Sequence, residues 1–439
     1  MKILIKNAST ATSLLGGHGN SMQNINVLVE GKRVVKIAPS EILTNPDRVI
    51  DATGLFLAPG LVDPQVHFRE PGMEYKEDIE SGSRAAVKGG FTAVISMPNT
   101  SPIADHAAIV AKMWQRSQQI GLCKVYPTAA VTVGLKGESL TDFASLKAAG
   151  AIALTDDGRG VQRDDLFLQA LAKAKVVDLP VLDHSEDEAL SAGGAIHKGE
   201  VSARYKVKGI DADSEAVHVE RGCEFSATTG GHYHVLHVST ARSIQAVRKA
   251  KAAGHRVTAE VSPHHLLLCD EDIPLRAGGD LDANWKMNPP LRSKQDRDAC
   301  KAALLDGTID AIATDHAPHA PDEKRLPIEE APFGIIGLET AFPLIYTHFV
   351  KNGTLPLARC VDLMSKQAGG LFGLRCGRIA EGSLADLVLF NLDQPFVVDE
   401  SFFASKSKNS PFVGYELFGR TKMTMMEGSI VFESQEYQR

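Results

Sequence analysis

Between residues 57 and 372, short apolar runs of strand type alternate with segments patterned as helices. The strand-like runs are FLAPGLVDPQVHF, GFTAVISMPNT, CKVYPTAAVTV, AIALTDDG, LPVLDHSED, HYHVLHVST, HRVTAEVSPHH and IDAIATDHAPH. The helix-like segments between them include KEDIESGSRAAVKGG, DDLFLQALAKAKVVD, SEAVHVERGCEFSATTG and ARSIQAVRKAKAAG, and GLETAFPLIYTHFVKNG follows the last strand. Such alternation predicts parallel βαβ units, and eight of them predict a (β/α)8 barrel. An open doubly wound sheet fits less well: no GxGxxG follows the first strand, and polar residues finish nearly every strand instead of one switch point. Residues 1–56 have a different rhythm of short strands and glycine turns, which returns in GRIAEGSLADLVLFNL and KMTMMEGSIVFE. The expected organisation is therefore a barrel over 57–372, flanked by one small composite β-sandwich built from 1–56 and 373–439.

The barrel candidate is organised around LAPGLVDPQVHFREPG, residues 57 to 72. Side chains alternate faces along a strand, so Asp63, Gln65, His67 and Arg69 are expected on one face at its C-terminal end. Burying a carboxylate, an amide, an imidazole and a guanidinium together is costly unless they have a purpose. Other strands end in the same way: Asn99, Asp156-Asp157, His184, His237, His264-His265, and Asp315 with His319 just beyond. A lone histidine in an apolar strand is ordinarily a hydrogen-bonded core residue. Several strands delivering His or Asp to the same end are not explained that way, and in a barrel these groups converge on the C-terminal mouth, where catalytic groups sit.

Composition narrows the choices. The 439 residues carry a formal charge of -7 and 44% hydrophobic content, enough for a barrel of roughly 250 residues and a smaller module. No basic runs interleave with aromatics, so nucleic acid is not an expected partner. No apolar stretch approaches the ~18 residues of a membrane span, and MKILIKNAS lacks the features of a signal peptide. The six scattered cysteines form no CxxC pair, which points to free thiols in a reducing cytoplasm.

Imidazoles and carboxylates without thiolates suit a borderline divalent ion such as zinc. A metal pair needs a bridging ligand, and Asp157 is well placed for it. Such a centre lowers the pKa of a water toward ~7 and polarises a carbonyl. Asp315, across the mouth, would take the proton and pass it to a leaving nitrogen. The chemistry expected is hydrolysis of a C–N amide bond, or its reverse. Arg69 is suited to a bidentate grip on a carboxylate. Asn99 and Asn288 can bond the same anion or a ring amide, and His319 is a further candidate substrate contact. The plain alternative for either asparagine is a turn residue bonding its own backbone.

HFREPG, MPNT, LTDDG, LDHSED, HVST, SPHHLLL, KMNPPLR, TDHAPH, FGIIGLET and GSLADLVLF together span the chain. In these segments it resembles the dihydroorotases of the amidohydrolase superfamily, in the group whose metals are bridged by an aspartate. HFREPG with MPNT is the specific part, because hydantoin- and allantoin-type hydrolases differ there. The resemblance implies one or two Zn2+ per chain held by His67, Asp157, His184, His237 and Asp315, with Asp315 as the catalytic base. Asp156 is the less favoured bridging choice. It implies substrate contacts from Arg69, Asn99, Asn288 and His319, and from the backbone of Phe333 and Gly334. The implied reaction is the reversible cyclisation of N-carbamoyl-L-aspartate to (S)-dihydroorotate and water, in pyrimidine biosynthesis. A homodimer is expected, and association with aspartate carbamoyltransferase is known within the family.

One position departs from the pattern: Gln65 stands where the family has the first His of His-x-His. An amide oxygen suits zinc less well than imidazole, so Gln65 is expected to be a weak or absent ligand. Two alternatives accompany the active enzyme: a hydantoinase- or allantoinase-like hydrolase, and a non-catalytic partner of aspartate carbamoyltransferase. Arg69 argues against the first, since a neutral ring gives a guanidinium nothing to neutralise. The other ligand positions argue against the second. The polar segment after His319, APDEKRLPIEEAPFG, is a candidate lid.

Overall fold

The computed structural model describes residues 1–435. Strands from both ends of the chain form one hydrogen-bonded sheet of eight strands. Its order is Ser429–Glu433, Arg420–Met426, Leu387–Asn391, Phe56–Pro59, Lys2–Ala11, Met22–Glu30 and Arg33–Ala38, with Arg48–Asp51 also paired to Lys2–Ala11. The join between the two ends is Phe56–Pro59, antiparallel to Leu387–Asn391 on one side and beside Ser9 on the other. Ile3, Ile5, Val27, Leu57, Leu387 and Met423 fill a core separate from the main one.

The apolar run around Leu57 therefore does two jobs, where the sequence pattern predicts a single strand. It belongs to the terminal sheet up to Pro59, breaks at Gly60, and continues as the parallel strand Leu61–Val66. A side chain at Gly60 has no room, since its Cβ would lie 2.2 Å from Thr92 Oγ1.

Besides a two-stranded parallel pairing of Ile196–His197 with Gly209–Ile210, the middle of the chain holds two larger parallel sheets. One contains Leu61–Val66, Phe91–Ser96 and Lys124–Pro127. The other runs Leu154–Thr155, Val181–Asp183, Tyr233–Val235, Val257–Val261 and Ala311–Ile312. Isolated parallel bridges connect their edges, Ala129 with Leu154 and Val66 with His316. Each strand of these two larger sheets falls inside one of the strand-like runs of the sequence.

The helices between them start and stop on local signals. Asp78 caps Ile79–Lys88 by accepting from the Ser81 amide at 2.7 Å, and Thr240 caps Ala241–Ala252, each satisfying an otherwise unpaired first-turn N–H. Asp213–Thr229 ends on Gly230 at φ 68°, the left-handed position glycine takes at low cost. Between the last sheet strands, residues 396–418 fold back onto the middle of the chain. Val398, Phe403, Phe412 and Leu417 pack there with Leu281, Leu291 and Ile336. All six cysteines are free. Among the described residues, no helix is long and apolar enough to cross a membrane.

Candidate metal and substrate site

The C-terminal ends of the parallel strands open on a cavity of about 290 Å3. His67, Arg69, Asn99, Asp157, His184, His237, Asn288, Asp315, His319, Phe333 and Gly334 all line it. Every substrate and metal residue expected from the sequence is in this wall except Gln65, which lies behind it, fully buried. A larger surface cavity of about 600 Å3, near Trp285 and Arg297, contains none of them.

Asp157 stands at the centre. His184 Nδ1 is 3.3 Å and His237 Nε2 3.8 Å from its Oδ1, and the two imidazole nitrogens are 3.1 Å apart. This trio is the one group among the described residues whose donor atoms converge closely enough for a metal ion, all within 4.8 Å. His184 is oriented from behind, its Nε2–H donating to Glu186 Oε2 at 3.0 Å while Asn288 Nδ2 donates to the same oxygen at 2.7 Å. With the proton on Nε2, Nδ1 turns its lone pair toward Asp157 and His237. A carboxylate behind a histidine in this way fixes the tautomer that a metal needs. The same carboxylates favour positive charge at this ring, a second proton on Nδ1 or a metal ion in its place. Burial alone would lower the His184 imidazole, but Asp157 and Glu186 raise it to about 10. Burial alone would raise Asp157 and Glu186, but the histidines hold Asp157 well below the ordinary carboxylate range and Glu186 at about 2.

On the other side of Asp157, His67 Nε2 lies 3.2 Å from Asp157 Oδ2 and 3.1 Å from Asp315 Oδ1. Its Nδ1–H donates to Asn99 Oδ1 at 2.9 Å, so Nε2 offers a lone pair to two carboxylate oxygens. Positive charge compensates the two carboxylates there, as a second ring proton on His67 or as a cation in its place. Gln65 belongs to this half. Its amide nitrogen reaches Asp157 Oδ1 only at 3.5 Å, and its buried Oε1 has no partner.

The choice between the paired aspartates is made by neighbours. Asp156 turns to Thr132, accepting from its amide at 3.0 Å and from its hydroxyl, and burial raises it to about 6. Asp157 alone faces the cavity. His264 and His265 do not join the site either. They sit on the short helix Pro263–Leu267, both within 2.7 Å of Ser262 Oγ, and His265 donates to Pro289 O. Asp63, expected on the same face as Gln65 and His67, is taken up by Thr314, which donates its amide at 3.0 Å and its hydroxyl at 2.5 Å. Burial raises Asp63 to about 7.

Arg69 and His319 form one edge of the cavity. The guanidinium donates Nε–H to Pro318 O at 3.2 Å, and its Nη2 lies 3.3 Å from His319 Nε2. Burial lowers Arg69 to about 10 against the pull of Asp315 and Asp157, so it stays charged at neutral pH. At Gly334 an added Cβ would lie 2.5 Å from Ala317 O and 2.9 Å from His319 Nε2. Its own N–H and C=O are already engaged, with Lys286 O, Lys324 Nζ and Asn409 Nδ2, so this backbone meets a ligand with its surface. The segment after His319 lies folded down, with the buried Lys324 ammonium donating to Pro332 O and Gly334 O. Arg69, His237 and Asp315 all take positive φ, at 61°, 33° and 49°. Such non-glycine strain gathers at functional sites.

Residues that the sequence pattern did not single out also build this site. Glu186 follows His184 by two within LDHSED, a spacing that puts it on the same side. Asn409 lies far away in the chain and holds the His319 amide and Ala317 O; nothing in its local sequence marks it.

Solved structures share this fold. An L-hydantoinase from Arthrobacter aurescens superposes with a TM-score of 0.83 at 25% identity, covering 98% of this chain and 96% of that one. A D-hydantoinase from a Thermus species does so with a TM-score of 0.81 at 27% identity, covering 98% and 95%. By fold and by the grouping of its polar residues, the chain is an enzyme of the cyclic amidohydrolase class. The sequence comparisons narrow this further. Residues 54–243 match the model of the Dihydro-orotase-like family. Dihydroorotases from Geobacillus kaustophilus and Bacillus caldolyticus are 52% and 50% identical, over 89% and 94% of this chain and 90% and 95% of theirs. One from Halalkalibacterium halodurans is 46% identical over the full length of both. The chain belongs to the dihydroorotase family.

Proposed function

We propose that the chain is a zinc-dependent dihydroorotase, interconverting N-carbamoyl-L-aspartate and (S)-dihydroorotate plus water. The observation that carries this is one small cavity joining a guanidinium edge to the Asp157, His184 and His237 trio. A neutral ring would leave Arg69 without a counter-charge, whereas dihydroorotate brings a carboxylate next to its cyclic amide. The same reading takes the two parallel sheets, bridged at both edges, as one closed (β/α)8 barrel with the site at its C-terminal mouth. It also places the enzyme in the cytoplasm as a homodimer able to meet aspartate carbamoyltransferase.

Asp157, His184 and His237 would hold the principal ion, and His67 with Asp315 a second, with Gln65 a weak oxygen donor at most. Ring nitrogens of His184 and His67 facing inward to carboxylate oxygens, and the orphaned Gln65 oxygen, fit a cation. When bound, zinc supplies Lewis acidity, acidifying a water and polarising the amide carbonyl. The chain's residues do the rest. Arg69 pairs with the substrate carboxylate, and His319 and Asn288 bond the polar edge. Asn99 keeps His67 in its tautomer with Oδ1, while its amide nitrogen lies 3.5 Å from the Asp157 carbonyl. Asp315 accepts the proton released by water and returns it to the departing ring nitrogen.

The test is elemental analysis beside an assay. Purified protein should contain zinc and hydrolyse dihydroorotate, and Asp315→Ala should cut turnover about 10^3-fold while the fold persists. Protein that takes up no zinc, or takes it up and leaves dihydroorotate untouched, overturns the proposal.

A further inference from the structure

Lys76 lies in the turn before the helix Ile79–Lys88, outside the residues assigned above, yet its ammonium is buried against His319. Its Nζ is 3.3 Å from His319 Nδ1 and 2.9 Å from Glu323 Oε1. Ser407 holds its carbonyl from below at 2.9 Å. An ammonium has only protons to offer, so the His319 Nδ1 that faces it must accept. Arg69 Nη2, 3.3 Å from Nε2, makes the same demand on that nitrogen. The Phe333 carbonyl at 2.7 Å, however, is an acceptor that only a proton on Nε2 can satisfy, so the ring proton sits on Nε2.

The other tautomer has a ready partner. Glu323 Oε2 is 3.5 Å from the same Nδ1 and would accept a proton placed there. In that form Nε2 would turn a lone pair toward the Phe333 carbonyl and toward any anion held by Arg69. Lys76 thus opposes Glu323 at a single nitrogen. His319 itself is held neutral, since burial, Arg69, Lys76 and Lys324 all disfavour its charged form.

We propose that Lys76 is a positioning residue that keeps His319 in its Nε2–H tautomer, so that the edge beside Arg69 presents to the substrate carboxylate a proton, shared with Phe333 O, and not a lone pair. The assignment rests on the reading of that edge as the carboxylate-binding one.

The experiment is 15N NMR on zinc-loaded, histidine-labelled protein, with His319 assigned by its loss in His319→Asn. Wild type should show a protonated Nε2 and a bare Nδ1. In Lys76→Met the proton should move to Nδ1, and KM for dihydroorotate should rise about tenfold or more, the scale of one hydrogen bond to a charged group, with kcat changed far less. Lys76→Arg keeps a cationic donor and should keep the wild-type spectrum; it also serves if the methionine variant does not fold. An unchanged tautomer in Lys76→Met, a lost one in Lys76→Arg, or KM and kcat failing together overturns the role. The spectrum needs no turnover. A protein indifferent to dihydroorotate therefore sinks the functional proposal, while the spectrum still decides Lys76.

Discussion

On one side of Asp157 stand two imidazoles; on the other stand one imidazole, a carboxylate and an amide. The halves share Asp157, a cavity and burial, yet differ in what they can hold. In the first, His184 is fixed from behind by Glu186, and its ligand atom lies within 4.8 Å of those of His237 and Asp157. In the second, His67 is fixed equally well by Asn99, but the third position is Gln65, whose oxygen has no partner and whose nitrogen is 3.5 Å from Asp157. Orientation is therefore similar on both sides, and donor chemistry makes the difference. Imidazole is a good zinc ligand and a neutral amide oxygen a poor one. On the proposed reading the first half would hold an ion tightly and the second half a further ion only weakly.

The largest effect that could break this contrast is loss of an imidazole from either half. His237→Ala should strip the protein of tightly bound zinc, by more than the ~10–100-fold in affinity that loss of an outer-shell partner costs. His67→Ala should leave one zinc per chain. Elemental analysis after dialysis reads both, and equal loss in the two variants would erase the distinction. Next in size is Gln65→His, which should tighten the second ion by about tenfold, ~1.4 kcal/mol, and raise the zinc content toward two per chain. Competition with a chromogenic chelator measures it, and unchanged affinity would make Gln65 a bystander.

The smallest effect concerns Asp63, buried behind the Gln65 half. Its pKa in the folded protein, raised to about 7 by burial, lies above its unfolded value, so folding takes up a proton between about pH 4 and 7. The stability linked to Asp63 is complete below that interval and declines across it, by at most about 1.4 kcal/mol per pH unit. In Asp63→Asn this component should vanish. Melting temperatures of the two proteins, taken from pH 4.5 to 7.5, should converge as the pH rises if the wild type is the more stable at the acid end. A constant offset would mean that Asp63 is ionised throughout.

Much of this was legible in the sequence because it depends on order and on residue type. Alternating apolar runs fixed the succession of parallel strands, since each run has to bury itself whatever its neighbours. Polar residues recurring at strand ends marked the site, since such groups gather only where something compensates their desolvation. The departure at Gln65 was visible too, but only against the His-x-His pattern of the family the chain resembles. Local pattern could not divide Leu57–Val66 between two sheets, because an apolar run looks the same on either side of Gly60. It could not separate Asp156 from Asp157 or remove His264 and His265, because Thr132 and Ser262, which claim them, are chosen by approach in space. Nor could it find Lys76 opposite Glu323 at His319, or Asn409 beneath the same ring. Residue type settles what a side chain is able to bond; which partner it bonds is settled by packing, because a buried polar group must use whatever the fold brings within about 3 Å.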